Sequence, residues 1–196
     1  MTASLLQKLR RSQANSLPMS ILTEGLYGGH RATLLPLQTA DTILCVAGGI
    51  GITSCISFLQ QYVNESRPAE SASKPLMSCA TKFVLAWSAR EESLIQHVST
   101  SLLSDLPTDS QDKHLECQFW CTGEQSSQDK GIEQGLNLRR GRMIVEEVVR
   151  SVAEKGRRVV VVVCAPGAMS DEVREAVVGC LRDGMPVDII EEAFAW

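Results

Sequence analysis

The chain has no long apolar run: its longest, Val159 to Ala165, is far too short to cross a bilayer as a helix. It has no strongly basic stretch, and a net charge of −4 argues against the positive face that a nucleic-acid surface requires. Histidine is scarce. The three present (His30, His97, His114) form no pattern of a catalytic base or a ligand set, and no metal site is expected. The signatures G-x-S-x-G, H-E-x-x-H and G-x-x-x-x-G-K are missing, which removes the sequence grounds for serine hydrolysis, zinc hydrolysis and P-loop phosphoryl transfer.

Cysteine is present but unpatterned. The seven residues (Cys45, Cys55, Cys79, Cys117, Cys121, Cys164, Cys180) include no C-x-x-C pair. An odd set in a chain large enough to fold without staples reads as free thiols in a reducing compartment. Lys8, Arg10 and Arg11 are followed by the polar run Ser12 to Ser16, where a signal peptide needs its apolar core. The expectation is a soluble chain facing the cytosol.

What is there is a globular core. With 196 residues, 44% of them hydrophobic, one domain is expected. Residues 1–20 read as a polar leader with Leu5, Leu6 and Leu9 at helical spacing. Residues 21–37 read as strand-like and glycine-rich. Apolar runs at 42–47, 82–88, 116–122, 158–164 and 187–190 predict five strands. Helical spacing predicts helices from Ile52, over 91–103, from Met143 and over 170–182. The alternation predicts an α/β fold, a doubly wound five-stranded parallel sheet with ligands beyond the carboxyl ends of its strands. Residues 64–80, 105–114 and 123–140 read as polar surface connections.

Two glycine-containing corners carry the chemistry. The strand over 42–47 runs into Gly48-Gly49-Ile50-Gly51-Ile52-Thr53, and the strand over 158–164 into Cys164-Ala165-Pro166-Gly167. A strand that ends in glycines and opens into a helix lets backbone N–H groups approach a phosphate. The spacing is not G-x-G-x-x-G, and no acidic residue ends the second strand to hold a ribose hydroxyl. That strand ends instead in Trp87-Ser88-Ala89-Arg90, where Ser88 and Arg90 suit a 2′-phosphate and point to NADPH over NADH. Each corner also has a plain packing explanation, Arg90 could be an exposed residue that binds nothing, and Glu91 and Glu92 offset its charge.

Taken in order, these segments resemble the NAD(P)-binding half of the ferredoxin–NADP reductase superfamily, in the branch of the ferric/cupric-chelate reductases and NADPH oxidases. Residues 22–28 are similar to the E-G-P-Y-G segment, 47–53 to A-G-G-x-G-I-T, and 87–90 to W-x-x-R. Gly141-Arg142 matches a G-R before a helix, 164–167 resembles C-G-P-G, and 192–196 resembles an E-x-F-x-W ending. The resemblance implies residues 21–40 as the end of a flavin domain and a linker, and 41–196 as the NAD(P)-binding domain. It implies Gly25, Tyr27 and Gly28 beside FAD, and Gly48, Gly49, Gly51, Ile52 and Thr53 at the NADPH pyrophosphate. Ser88 and Arg90 fall at the adenosine phosphate end. Cys164, Ala165, Pro166 and Gly167 fall on the nicotinamide side, Phe194 and Trp196 at the flavin face, with Cys164 and Phe194 nearest the hydride path.

Leu26 and Ala165 depart from the family's proline and glycine, and the flavin domain's R-x-Y-S/T motif and haem-bearing helices are not found. The function implied is an NADPH-dependent oxidoreductase module that passes hydride to FAD and electrons on to a ferric or cupric acceptor. Its partner would be the flavin domain or membrane haem portion of a reductase, on the cytoplasmic side of a membrane. The alternative is a truncated, non-catalytic fragment that binds NADPH or docks on a partner, soluble in the cytoplasm.

Overall fold

A computed structural model describes residues 31–65, 75–103, 109–110, 113–123 and 137–192. The strands are Thr42–Gly48 (β1), Lys82–Ala89 (β2), Asp109–Ser110 (β3), Lys113–Cys121 (β4), Leu138–Arg140 (β5), Val159–Cys164 (β6) and Val187–Glu191 (β7). The α-helices are Ile52–Asn64 (α1), Glu92–Val98 (α2), Val145–Ala153 (α3) and Gly167–Arg182 (α4). β1 and β6 are buried along their whole length, and five consecutive valines in β6 suit a strand covered on both faces.

The order across the sheet is β4-β2-β1-β6-β7. From β1 the chain moves outward through β2 and β4, then returns to the other side of β1 for β6 and β7. The topological switch point therefore lies between β1 and β6, where open α/β sheets form their ligand crevice.

Side-chain alternation divides the core. Ile43, Cys45 and Ala47 of β1, Phe83, Leu85 and Trp87 of β2, and Val160, Val162 and Cys164 of β6 face α1 and α2. Leu44, Val46, Val84, Ala86, Val161 and Val163 face α3 and α4. The period of two places Trp87 and Ser88 on opposite faces of one strand.

The architecture expected from the sequence is present, with three corrections. Among the described residues six strands run parallel rather than five. The additional one is β5, only three residues long and mostly exposed, within what reads as a polar connection. The two-residue β3 adds an antiparallel pairing to the same edge of β4. The strand-like reading of 21–37 fails in its described part, because Arg31–Gln38 forms a 3-10 helix. Its repeat of three brings Leu34 and the fully buried Leu37 to one side, against the α1 face of the sheet. Finally, α4 begins at Gly167 rather than Ser170, and the helix over 91–103 is α2 followed by a π-helical turn over Ser99–Leu103.

Among the described residues no helix is long and apolar enough to cross a membrane, and no three His, Cys, Asp or Glu side chains converge as a metal site.

Candidate functional site

β1 and β6 end side by side at the switch point, with Ala47 in register with Cys164. After β1, Gly49–Gly51 makes one 3-10 turn and leads into α1. After β6, Ala165 and Pro166 lead into α4 at Gly167. The corners enclose a cleft of about 300 Å³ lined by Gly48, Ile50, Gly51 and the run Cys164 to Gly167.

The glycines do different jobs. A Cβ on Gly51 would lie 1.9 Å from the carbonyl oxygen of Cys164, and one on Gly48 would lie 2.6 Å from Cδ of Pro166. Both glycines are required because the second corner packs against the first. Gly49 has φ +53° and no atom within 4 Å of its Cβ position. Its conformation favours glycine, and its open side leaves room for a ligand against the backbone. The Cβ position of Gly167 is likewise open.

Neither α1 nor α4 has a side-chain cap at its N-terminus. A helix start leaves first-turn N–H groups without intrahelical partners, and the macrodipole adds partial positive charge there. Both helix starts border one cleft, at Gly51 and Gly167, although the N–H groups of Ile52, Met169 and Ser170 are already bonded within the turns. The arrangement can hold an anion without any basic side chain.

The turn itself is braced from within. Trp87, fully buried, donates from Nε1 to the carbonyl oxygen of Gly49 at 2.9 Å. Thr53 donates its hydroxyl to the Ile50 carbonyl at 3.0 Å, so it closes the turn and keeps its lone pairs toward solvent. Ile52 buries its side chain and bonds its N–H to the Gly49 carbonyl, so it shapes the turn from the core side.

Cys164 is 1% exposed. Burial pushes its thiol above the usual range and the nearby Cys55 pushes in the same direction, while a hydrogen bond with Ser54 opposes them. Raised above its ordinary value, the thiol is not a thiolate at neutral pH.

A second cleft, of about 420 Å³, lies on the other side of Pro166 and is lined by residues at the ends of β2 and β4. Its lining includes Ser88, Thr122, Gly141, Arg142, Met169 and Glu172. Pro166 lines both clefts, and Ser88 lines the second. Arg90 is exposed one residue past β2, outside the lining of both clefts, and its carbonyl accepts from Sγ of Cys121 at 3.4 Å. Thr122, Arg142 and Glu172 were not anticipated as site residues. Only the Gly141-Arg142 pair left a signal in the sequence: Gly141, at φ +100°, turns the chain back across the sheet end and delivers Arg142 to the cleft. Gly25, Tyr27, Gly28, Phe194 and Trp196 lie outside the described residues.

Residues 40–178 match the family described as the ferric reductase NAD binding domain. The chain belongs to that family. The match starts just before β1 and includes both corners, Ser88 and Arg142. No curated protein matches the chain significantly. A ferric reductase NAD-binding domain belongs to an oxidoreductase family with a nicotinamide cofactor, and the site fits one on its own features: paired uncapped helix ends, an open Gly49, and two clefts that share Pro166, the second lined by Ser88.

Proposed function

We propose that this chain is the NADPH-binding module of a ferric-chelate-reductase-type flavoprotein. The observation that supports it most is the meeting of two uncapped helix N-termini at the switch point, where Gly48, Gly51 and Gly167 line one cleft. In this reading Gly48, Gly49, Gly51 and Thr53, with the first turn of α4, hold the pyrophosphate. The fixed N–H groups need no rearrangement to do so. Cys164, Ala165, Pro166 and Gly167 form the wall on the nicotinamide side. The protonated thiol and the Ala165 methyl keep that wall apolar and exclude water from the reacting carbon. Ser88 lies at the adenosine end, and Arg90, exposed two residues further on and outside the lining of both clefts, would turn in from the strand end to reach it.

The chemistry such a cofactor supplies is hydride donation, here to FAD on a partner flavin domain, with electrons passing on to a ferric or cupric acceptor. The side chains of this module do no acid–base work; their task is to hold one face of the nicotinamide toward the partner. Ile50, 66% exposed at the rim of the cleft, and Leu35, 55% exposed, are apolar surface that a flavin domain would cover.

Calorimetric titration of the chain with NADPH tests the reading, followed by ferricyanide reduction with and without added FAD. The expected result is saturable binding to one site per chain, with turnover only when FAD is supplied. Failure to bind either NADPH or NADH would overturn it.

A further inference from the structure

We propose that Glu172 is a built-in competitor for a phosphomonoester at Arg142, so that this ion pair sets how strongly the domain separates a phosphorylated dinucleotide from an unphosphorylated one. The inference rests on the nucleotide-binding reading above. Arg142, two residues past β5, and Glu172, in the second turn of α4, are in direct contact. Both line the second cleft, together with Ser88 of β2 and Thr122, one residue past β4.

A guanidinium and the Ser88 hydroxyl at one cleft end are donors that suit a phosphate ester, while the Thr122 hydroxyl beside them donates to the Ala89 carbonyl at 3.4 Å. Glu172 does not belong to that set. A carboxylate only accepts hydrogen bonds, and here it occupies the donors that a phosphate would use. The side chains of Arg142 and Glu172 are 71% and 40% exposed, so water screens the pair and little is lost on opening it. A phosphomonoester brings three acceptor oxygens and up to two negative charges, and it displaces a single carboxylate from the same fork. Once displaced, Glu172 still lies along the cleft and repels the ester. Glu146 and Glu175 line the groove on the far side of Arg142 and contribute to the same negative background. The contrasting role, in which Glu172 merely holds Arg142 in place, makes the opposite prediction on neutralisation.

The test is calorimetric measurement of NADPH and NADH affinity, at constant ionic strength, for the wild-type chain, Glu172→Gln and Arg142→Ala. Glu172→Gln keeps an acceptor and removes the charge. It is expected to bind NADPH about threefold more tightly with a smaller change for NADH, so that the NADPH preference rises. Arg142→Ala is expected to bring NADPH down toward the NADH affinity. An unchanged preference in Glu172→Gln, or weaker NADPH binding, overturns the competitor role and leaves the nucleotide site standing. A wild-type chain that binds neither dinucleotide overturns both.

Discussion

The buried Trp87 donates from its indole nitrogen to the Gly49 carbonyl oxygen across 2.9 Å, linking the end of β2 to the turn that follows β1. Gly49 is also the residue with φ +53° and an open side. A core side chain thus holds the one glycine of the turn whose geometry leaves space for a ligand.

Replacing Trp87 by Phe keeps most of the apolar volume and removes that donor. The expected cost in stability is about 1–2 kcal/mol, from the lost hydrogen bond and the smaller ring. Dinucleotide affinity is expected to fall with it, because the turn keeps its internal bonds but loses its tie to the core. Urea unfolding and NADPH titration of Trp87→Phe check both; a variant with unchanged affinity would separate the brace from the site.

Gly49→Ala and Gly51→Ala should differ sharply despite being the same substitution two residues apart. At Gly49 the methyl enters open space and costs about 1 kcal/mol for the left-handed backbone. At Gly51 it meets the Cys164 carbonyl, and nothing short of moving β6 or the turn makes room. Thermal unfolding of the two variants is the measurement. Gly51→Ala is expected to be much the less stable.

Glu92 is buried at the start of α2, where it receives Arg140 from β5 and, at 3.2 Å, Nε2 of Gln96. Glu92→Ala leaves a guanidinium about one-third exposed without this carboxylate partner. Partial solvation puts the cost below that of a fully buried pair, at about 2 kcal/mol. Loss of protection in β5 amides by hydrogen exchange is expected alongside lower denaturant resistance.

The pH response follows from burial. Tyr62 is pushed up to about 12 and Cys117 to about 11, chiefly because burial disfavours their charged forms. The unfolded chain releases these protons at the ordinary values of 10.0 and 9.0. Over that alkaline window the unfolded state binds fewer protons than the folded one. Stability is therefore full below about pH 9 and falls as pH rises through the folded values. Melting temperatures level from pH 7 to 8 and clearly lower by about pH 10.5 are expected.

Thiol labelling reads the same burial. Cys79 is exposed, Cys117 is half-buried, and the other five cysteines are buried. A disulfide reagent at pH 8 is expected to modify Cys79 rapidly and Cys164 only after unfolding. Fast loss of the Cys164 thiol in the native protein would contradict its placement under the first corner.

Much of the fold was legible because the strands β1, β2 and β6 are covered on both faces and so read as unbroken apolar runs. β5 was not, since three residues with two exposed arginines leave no periodic trace. The 3-10 segment over 31–38 was misread because isolated leucines and an internal proline fit several conformations. At the site, the two corners were visible as residue types. Which glycine serves packing and which leaves space depends on the partner turn, far away in the chain. Arg142 belonged to a noticed pair, yet its contact with Glu172 joins elements thirty positions apart and follows from the tertiary fold alone.

The closeness of Gly51 to the Cys164 carbonyl also limits how this domain can be re-engineered. The two corners behave as one interlocking part. A transplant of the segment 48–53 from another protein, made to alter cofactor choice, arrives shaped for a different neighbour and collides with 164–166 or leaves a gap beside it. Variation at either corner is tied to the other, so chimeras must exchange both segments together.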